Sequence, residues 1–409
     1  MRNKKYILLL IGIVFFIGCI QAEPDYQAEA HKIHKEVLTI DTHIDTPMLM
    51  LNDDWNIAEE HSMNGKDMSR VDLPRMKKGG LDAAFFAVFV GQRERTEENY
   101  KMAQEEAKEM ISAVKGMCKA NPSVISFATT PEQAFSNMQG NLLTAFIGLE
   151  NGFPVARDIT NIKKYYDMGI RYITLCHTKN NDICDSGNDT PEHNGLSEFG
   201  KKVVKRMNKL GMIIDVSHIS DKSFYDVIEL SSAPVIASHS SARAVCDNPR
   251  NMTDEMLLKL KENGGVIQMC ILSAYVKTPP ENPQRNADLA ALEKKYCKWN
   301  EINDKAISDK YLAEWMAIGE KYPGDQAAVE DFVDHIDHVV NLIGIDYVGI
   351  GTDFDGGAGL RDCRDASELP NITAELLRRG YGKEDLRKIW GENFMRVFKE
   401  VIKRADNNL

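Results

Sequence analysis

Val37-Leu-Thr-Ile-Asp-Thr-His-Ile-Asp-Thr-Pro47 carries an apolar, β-branched run into Asp41, His43 and Asp45 and ends it with a proline. A short run of this composition reads as a buried strand. Side chains alternate along a strand, so Asp41, His43 and Asp45 are expected to share one face. One imidazole with one or two carboxylates, gathered where a strand runs out, makes half of a transition-metal site. The search for the other half decides the fold.

Seven further apolar runs follow, at residues 81–90, 141–150, 170–177, 212–218, 233–239, 265–272 and 346–353. Stretches with helical spacing lie between them, at 97–118, 159–168, 197–210, 221–231, 253–263 and 328–343. Residues 24–36 are helical in pattern, 48–80 look like an irregular loop, and 371–379 and 383–404 form an amphipathic helical tail. Continuously apolar strands separated by helices predict parallel pairing with both faces covered. Eight βα units predict an α/β fold, a (β/α)8 TIM barrel with its catalytic centre at the C-terminal ends of the strands. An open doubly wound sheet alternates in the same way, but no Gly-x-Gly-x-x-Gly or P-loop follows the first strand. A polar segment at about 276–330, starting Pro279-Pro-Glu-Asn-Pro283, breaks the rhythm and reads as an insertion over one face.

The strand ends carry the chemistry. His43 and Asp45 belong to the first strand, Glu150 to the third, His177 to the fourth, His218 to the fifth, His239 to the sixth and Asp353 to the eighth. Four of the ten histidines finish an apolar strand, which a random arrangement would not produce. In a barrel all seven side chains meet in one pocket. They are more ligands than one tetrahedral zinc needs and suit two ions about 3.5–4 Å apart, bridged by a carboxylate and a water that acts as the hydroxide nucleophile. Glu150 has no neighbouring histidine and is the expected bridge. His177 is then free to stabilise an oxyanion, and Asp353 to shuttle a proton to the leaving amine. Asp41 reads as a support for His43 or a strand-end cap. His31, His34, His61, His193, His335 and His338 read as ordinary core, loop or surface histidines. Asp355 is ambiguous, and the Asn151-Gly152 and Gly356-Gly357 pairs read as turns.

Composition sets the outer limits. A chain of 409 residues, 43% hydrophobic and 27% charged, is long enough for several average domains or one large barrel and has an ample core. A net charge of −11 argues against nucleic acid and anionic lipid surfaces as partners. Arg2, Lys4 and Lys5 precede an apolar run at 6–17 and Gly18-Cys19, the layout of a secretory signal. The run is too short to span a bilayer comfortably. Phe16-Ile-Gly-Cys19 resembles a bacterial lipobox, with Phe16 where Leu is usual. Residues 1–18 are therefore expected to be removed and Cys19 lipidated, with cleavage after Ala22 as the alternative. The mature chain, 19–409, is expected to be a single domain, periplasmic or anchored to the outer membrane. Cysteines fall at 19, 118, 176, 184, 246, 270, 297 and 363 without a Cys-x-x-Cys spacing, which excludes a zinc ribbon and leaves one or two disulfides open.

Asp41-Thr-His-Ile-Asp-Thr-Pro47, Gly148-Leu-Glu-Asn-Gly152, Leu175-Cys-His-Thr178, Asp215-Val-Ser-His218, Ser238-His-Ser-Ser-Ala242, Gly351-Thr-Asp-Phe-Asp-Gly356 and Trp390-Gly-Glu-Asn-Phe394 together resemble the membrane (renal-type) dipeptidases, peptidase family M19. The likeness runs in order from about residue 35 to 397. It implies a zinc-dependent dipeptidase on a (β/α)8 barrel, with two zinc ions per chain and dipeptides as substrates. His43 and Asp45 would hold one ion, His218 and His239 the other, and Glu150 both. His177 falls at the family's carbonyl-polarising histidine and Asp353 at its acid/base. Arg250, in Asn248-Pro-Arg-Asn251, falls where an arginine clamps the substrate carboxylate, and Tyr275 aligns with a second carboxylate contact. A homodimer is compatible with the resemblance. Another dinuclear amidohydrolase, such as a lactamase or deacetylase, and a lipoprotein that only binds ligand are the alternatives. The 276–330 insertion is longer than in the mammalian enzymes, the lipid signal is N-terminal rather than C-terminal, and the cysteines match the mammalian disulfides poorly.

Overall fold

Eight strands of the computed structural model stand side by side in a ring, and each delivers its C-terminal end to the same mouth. The structure describes residues 24–63, 68–278, 280–297, 302, 305–322 and 326–405. The expected signal segment and Cys19 lie outside the described residues. The strands are β1 (Ile40–Ile44), β2 (Ala83–Phe89), β3 (Ile125–Phe127), β4 (Leu143–Glu150), β5 (Ile170–Thr174), β6 (Ile213–Asp215), β7 (Ile236–Ser240), β8 (Val266–Met269) and β9 (Val348–Ile350). Their order is β1-β2-β4-β5-β6-β7-β8-β9, with β3 paired to β4, and the pairings are parallel. The ring closes at the mouth, where Ile44 pairs with Phe354, the Asp353 amide donates to the His43 carbonyl at 3.0 Å and the Asp45 amide to the Phe354 carbonyl at 2.8 Å.

β2 and β4 are apolar without alternation because barrel interior lies on one side of them and helices on the other. Inside, Phe85 stacks on Phe146 at 4.9 Å and on Tyr172 at 5.0 Å between ring centres. Phe394 of the helix Asn393–Lys403 meets Phe85 edge-on at 5.2 Å. Arg396 of that helix donates to the carbonyls of Gly264, Gly265 and Asp346, which lead into β8 and β9, so the helix plugs the end opposite the mouth. Each such aromatic contributes about 1.5–3 kcal/mol of burial. The floor is packed with aromatic rings; the mouth is where polar side chains collect.

The surrounding helices begin and end where the chain supplies caps. Ser197, Ser220 and Thr253 accept amide hydrogen bonds at the starts of Glu198–Leu210, Asp221–Leu230 and Asp254–Asn263, and Gly211 and Gly264 adopt left-handed φ at two of their ends. Two features depart from the sequence-based expectation. Residues 48–80 are not a uniform loop, because a 3-10 turn covers Thr46–Leu51 and Leu73–Gly79 is a helix capped by Asp72 and by Gly80 at φ 64°. β3 and the helix Pro131–Gln139 form between the second and third expected strands. β3 lies along the first residues of β4, below the point where β5 begins to pair. The described part of the insertion is largely helical. Pro283–Tyr296 and Lys305–Lys321 form a hairpin held by Lys295–Glu314 and Lys321–Asp288 ion pairs, both at 2.6 Å. The seven described cysteines are free, so the disulfides left open by the sequence do not form among them. No helix among the described residues is long and apolar enough to cross a membrane.

Candidate metal centre

Glu150, at the last position of β4, is the hub of the mouth. Its Oε2 lies 3.3 Å from His43 Nε2, and its Oε1 lies 3.2 Å from His218 Nε2, 3.5 Å from His239 Nε2 and 3.8 Å from His177 Nε2. Asp45 Oδ2 stands 3.8 Å from His43 Nε2. Two groups of ligand atoms that could each hold an ion share this carboxylate: His43 with Asp45 and Glu150, and Glu150 with His218 and His239. A third, His43 with His239 and Asp353, overlaps them. All are buried. The strand-end residues singled out in the sequence are thus brought to one place.

The donor atoms are primed for a cation rather than for one another. His43 Nε2 and Asp45 Oδ1 are buried without a hydrogen-bond partner, a state that costs about 1–3 kcal/mol per neutral group and more for charged ones. The supporting hydrogen bonds set the tautomers. The Tyr172 hydroxyl donates to the Thr42 carbonyl at 3.2 Å, so it accepts from His43 Nδ1–H at 2.9 Å and leaves Nε2 with its lone pair. The Ser238 hydroxyl donates to Asp215 at 2.6 Å and accepts from His239 Nδ1–H at 2.8 Å, with the same result. Tyr172 reaches β1 because Gly148 of β4 has no side chain; a β-carbon there would lie 2.1 Å from the ring. Residues of this chemistry, in this state, fit two divalent transition-metal ions.

Electrostatics agrees. Burial pulls the His43 imidazole down, but Glu150, Asp45 and Asp353 together push it up to about 10. Burial raises Glu150, yet His43, His218 and His177 hold it well below the usual carboxylate range. Burial and then the Glu150 charge drive Asp45 well above that range. Asp353 is pushed up to about 6 by burial and by Glu150, against the pull of His43. Burial lowers His177 to about 4 and takes His218 and His239 well below the normal imidazole value. Carboxylates crowded enough to draw positive charge onto His43, beside the neutral rings of His177, His218 and His239, are the environment that bound cations reconcile. His218 and Asp353 also hold left-handed backbone, at φ 70° and 67°, a strain that clusters at functional sites.

Arg250 lies beside the cage, 4% exposed, with Nη2 donating to the His239 carbonyl at 3.2 Å and Nε unpartnered. It has no ion pair among the described residues, and its guanidinium sits 5.2 Å from the Tyr275 ring. His177 rests edge-on against Phe89 at 4.7 Å and keeps 17% of its side chain exposed.

Asp41 does not share the ligand face. Its carboxylate accepts the backbone amides of His43 at 3.1 Å and Thr352 at 2.9 Å and the Thr352 hydroxyl, so it ties β1 to the end of β9 and leaves the His43 ring to Tyr172. Alternation fails because the β1–β2 register shifts between Asp41 and Ile44, and the chain then turns at Asp45, φ −90°, ψ 10°. Asp355 accepts from Thr46, Ser69 and the Arg70 amide and pins a loop. Sequence reasoning missed Tyr172, Ser238 and Gly356 as site residues. A β-carbon on Gly356 would meet Asp45 Oδ2 at 2.2 Å and Asp353 Oδ1 at 2.6 Å. The remaining histidines sit elsewhere; His335, for example, accepts from the Ala242 amide and contacts the Val276 carbonyl.

Comparison with known proteins places the chain in a family. The family described as membrane dipeptidase (peptidase family M19) matches residues 27–408. Dipeptidase 3 of Rattus norvegicus is 28% identical over 394 residues, covering 95% of this chain and 70% of the relative. Dipeptidase tcpJ of Claviceps purpurea is 30% identical over 343 residues, covering 82% and 70%. The crystal structure of the probable dipeptidase PvdM from Pseudomonas aeruginosa superposes with a TM-score of 0.81 at 30% identity, over 93% of this chain and 99% of that one. With the family model spanning nearly the whole barrel, the chain belongs to the membrane dipeptidase family, peptidase family M19, and is a metallo-dipeptidase of that family.

Proposed function

We propose that this chain hydrolyses the peptide bond of dipeptides with a free C-terminal carboxylate, using two zinc ions. His43 and Asp45 would hold one ion, His218 and His239 the other, and Glu150 both. When bound, such a pair supplies an acidified water and a polarised carbonyl. The chain's own residues do the rest. Arg250 clamps the substrate carboxylate, because planar guanidinium and carboxylate pair bidentately, and Tyr275 packs against it. The neutral imidazole of His177 offers an N–H to the oxyanion. Asp353, raised towards neutrality, accepts a proton from the attacking water and passes it to the leaving amine.

The observation that carries this reading is Arg250, a buried cation without an anionic partner among the described residues, set against a cage of unpaired metal donors. Turnover of a dipeptide panel before and after chelation tests it; activity that survives complete metal removal refutes it. We also propose export through the N-terminal signal and lipidation at Cys19. The mass of the mature N-terminal peptide decides between a lipidated Cys19 and a start after Ala22.

A further inference from the structure

The insertion brings an aromatic side chain to the rim of the mouth. A β-carbon on Gly357 would come within 3.4 Å of the Trp315 indole and 3.9 Å of Leu272 Cδ1. Gly356, its neighbour, is the residue whose backbone touches the Asp45 and Asp353 carboxylates. Trp315 therefore stands one residue removed from the acidic side of the cage. The helix Lys305–Lys321 that carries it is steadied by the hairpin ion pairs, and the Ala327 amide donates to Ser273 Oγ at 2.7 Å, tying the end of the insertion to the residue after Leu272. Trp315, Leu272, Gly356 and Gly357 all keep part of their surface exposed. A half-exposed indole beside a leucine is an apolar wall facing a polar pocket, which pays off when something apolar covers it.

The charges orient the substrate. With its carboxylate on Arg250, a dipeptide would turn its ammonium to Asp353, the carboxylate near Arg250 that the proposed ligand set leaves free of metal, and Gly356 and Gly357 follow Asp353 closely in the chain. We propose that Trp315, with Leu272, receives the side chain of the dipeptide's amino-terminal residue and selects substrates whose first residue is large and apolar. This assignment rests on the dipeptidase reading.

The test is kcat and KM for Gly-Gly, Ala-Gly, Leu-Gly and Phe-Gly with the wild type, Trp315→Ala and Trp315→Phe. Removing the indole is expected to raise KM for Phe-Gly and Leu-Gly about tenfold, the scale on which apolar pockets discriminate. Gly-Gly should stay within about twofold, kcat should hold for all four, and Trp315→Phe should recover most of the loss. If the alanine variant does not fold, Trp315→Gln keeps the bulk without the apolar face and should show the same split. An equal change for every dipeptide, or none, overturns the assignment while leaving the dipeptidase reading intact. A wild type that hydrolyses none of the four overturns the reading and the assignment together.

Discussion

The Nε2 atoms of His218 and His239 face one another at 2.8 Å, with Glu150 Oε1 at 3.2 Å from the first and 3.5 Å from the second. The Ser238–Asp215 relay places the His239 proton on Nδ1, so its Nε2 offers a lone pair. Burial keeps both rings neutral. Two imidazole nitrogens and a carboxylate oxygen this close together are a donor set that one cation could take. Elemental analysis is expected to find two divalent ions per chain. Excess metal should stabilise the fold by about 4 kcal/mol at a thousand times Kd, so the chelated protein should melt lower. Glu150→Gln weakens both positions at once. Its metal affinity should fall by on the order of 100-fold or more, since loss of even a supporting partner costs 10–100-fold. Two tightly held ions in that variant would refute the bridge.

Tyr172→Phe isolates the His43 tautomer. The phenylalanine fills the same space against Phe85, but His43 Nδ1 loses its acceptor. The ring can then carry its proton on either nitrogen, and the form that binds metal is no longer enforced. The expected outcome is a loss of about 10–100-fold in metal affinity with the barrel still folded. Competition with a chromophoric chelator measures it, and an unchanged affinity would show that the hydroxyl does not set the tautomer.

Much of the site was legible because its signals are local. An apolar run that stops at Glu150 or His218 announces both a strand and a chemical group at its end, and a parallel barrel puts all such ends together. What was not legible depends on tertiary reach. Tyr172 crosses from β5 to β1 only because Gly148 leaves room, and nothing near Tyr172 in sequence says so. Asp41 looked equivalent to His43 and Asp45 by alternation, but the pairing of β1 with β2 shifts register between Asp41 and Ile44. The helix Leu73–Gly79 carried its own markers, Asp72, Pro74 and Gly80, in a stretch too short and polar for periodicity to register. β3 has three residues and relies on β4. The approach of Trp315 to Gly357 joins an insertion to a strand end, a contact that no pattern encodes.

Arg250→Ala should act on binding. The guanidinium is fixed by the His239 carbonyl and the Tyr275 ring before substrate arrives, so little ordering cost remains. Charge-assisted hydrogen bonds of this kind are worth about 1.5–3 kcal/mol, so KM should rise roughly 10–100-fold. A C-terminally amidated dipeptide should suffer a similar loss with the wild type and little further loss with the variant. Additive losses would show that Arg250 binds something other than the carboxylate.

His34 gives the fold an acid limit far from the mouth. Its Nδ1 lies 2.8 Å from the Gly79 carbonyl and its Nε2 2.7 Å from the Thr373 hydroxyl, which also accepts from the Trp390 indole. Burial lowers the pKa from 6.5 to about 4, outweighing the Gly79 carbonyl that favours the charged form. The folded state therefore binds fewer protons than the unfolded one between these values. The contribution of the neutral ring is complete above pH 6.5 and is lost as pH falls towards 4, up to about 3 kcal/mol. Urea unfolding at pH 7.5 and 5 should show this slope, reduced in His34→Gln. An identical slope in the variant would place the acid sensitivity elsewhere.

Gly356→Ala tests how closely the backbone must approach the cage. The added carbon would overlap Asp45 Oδ2 and Asp353 Oδ1, so at least one carboxylate has to swing away. The site lies at the solvent-facing mouth, remote from the Phe85, Phe146 and Phe394 packing that holds the barrel, so the melting temperature of the metal-free protein should barely move. Activity depends on placement within about 1 Å, and a displacement of that size costs on the order of 100-fold. The expected result is therefore a folded variant with kcat reduced about 100-fold and weakened binding of the ion proposed for His43 and Asp45. Serine should behave like alanine, because the clash begins at the β-carbon. An alanine variant with full activity would show that both carboxylates move freely, which their burial at 4% and 8% exposure argues against.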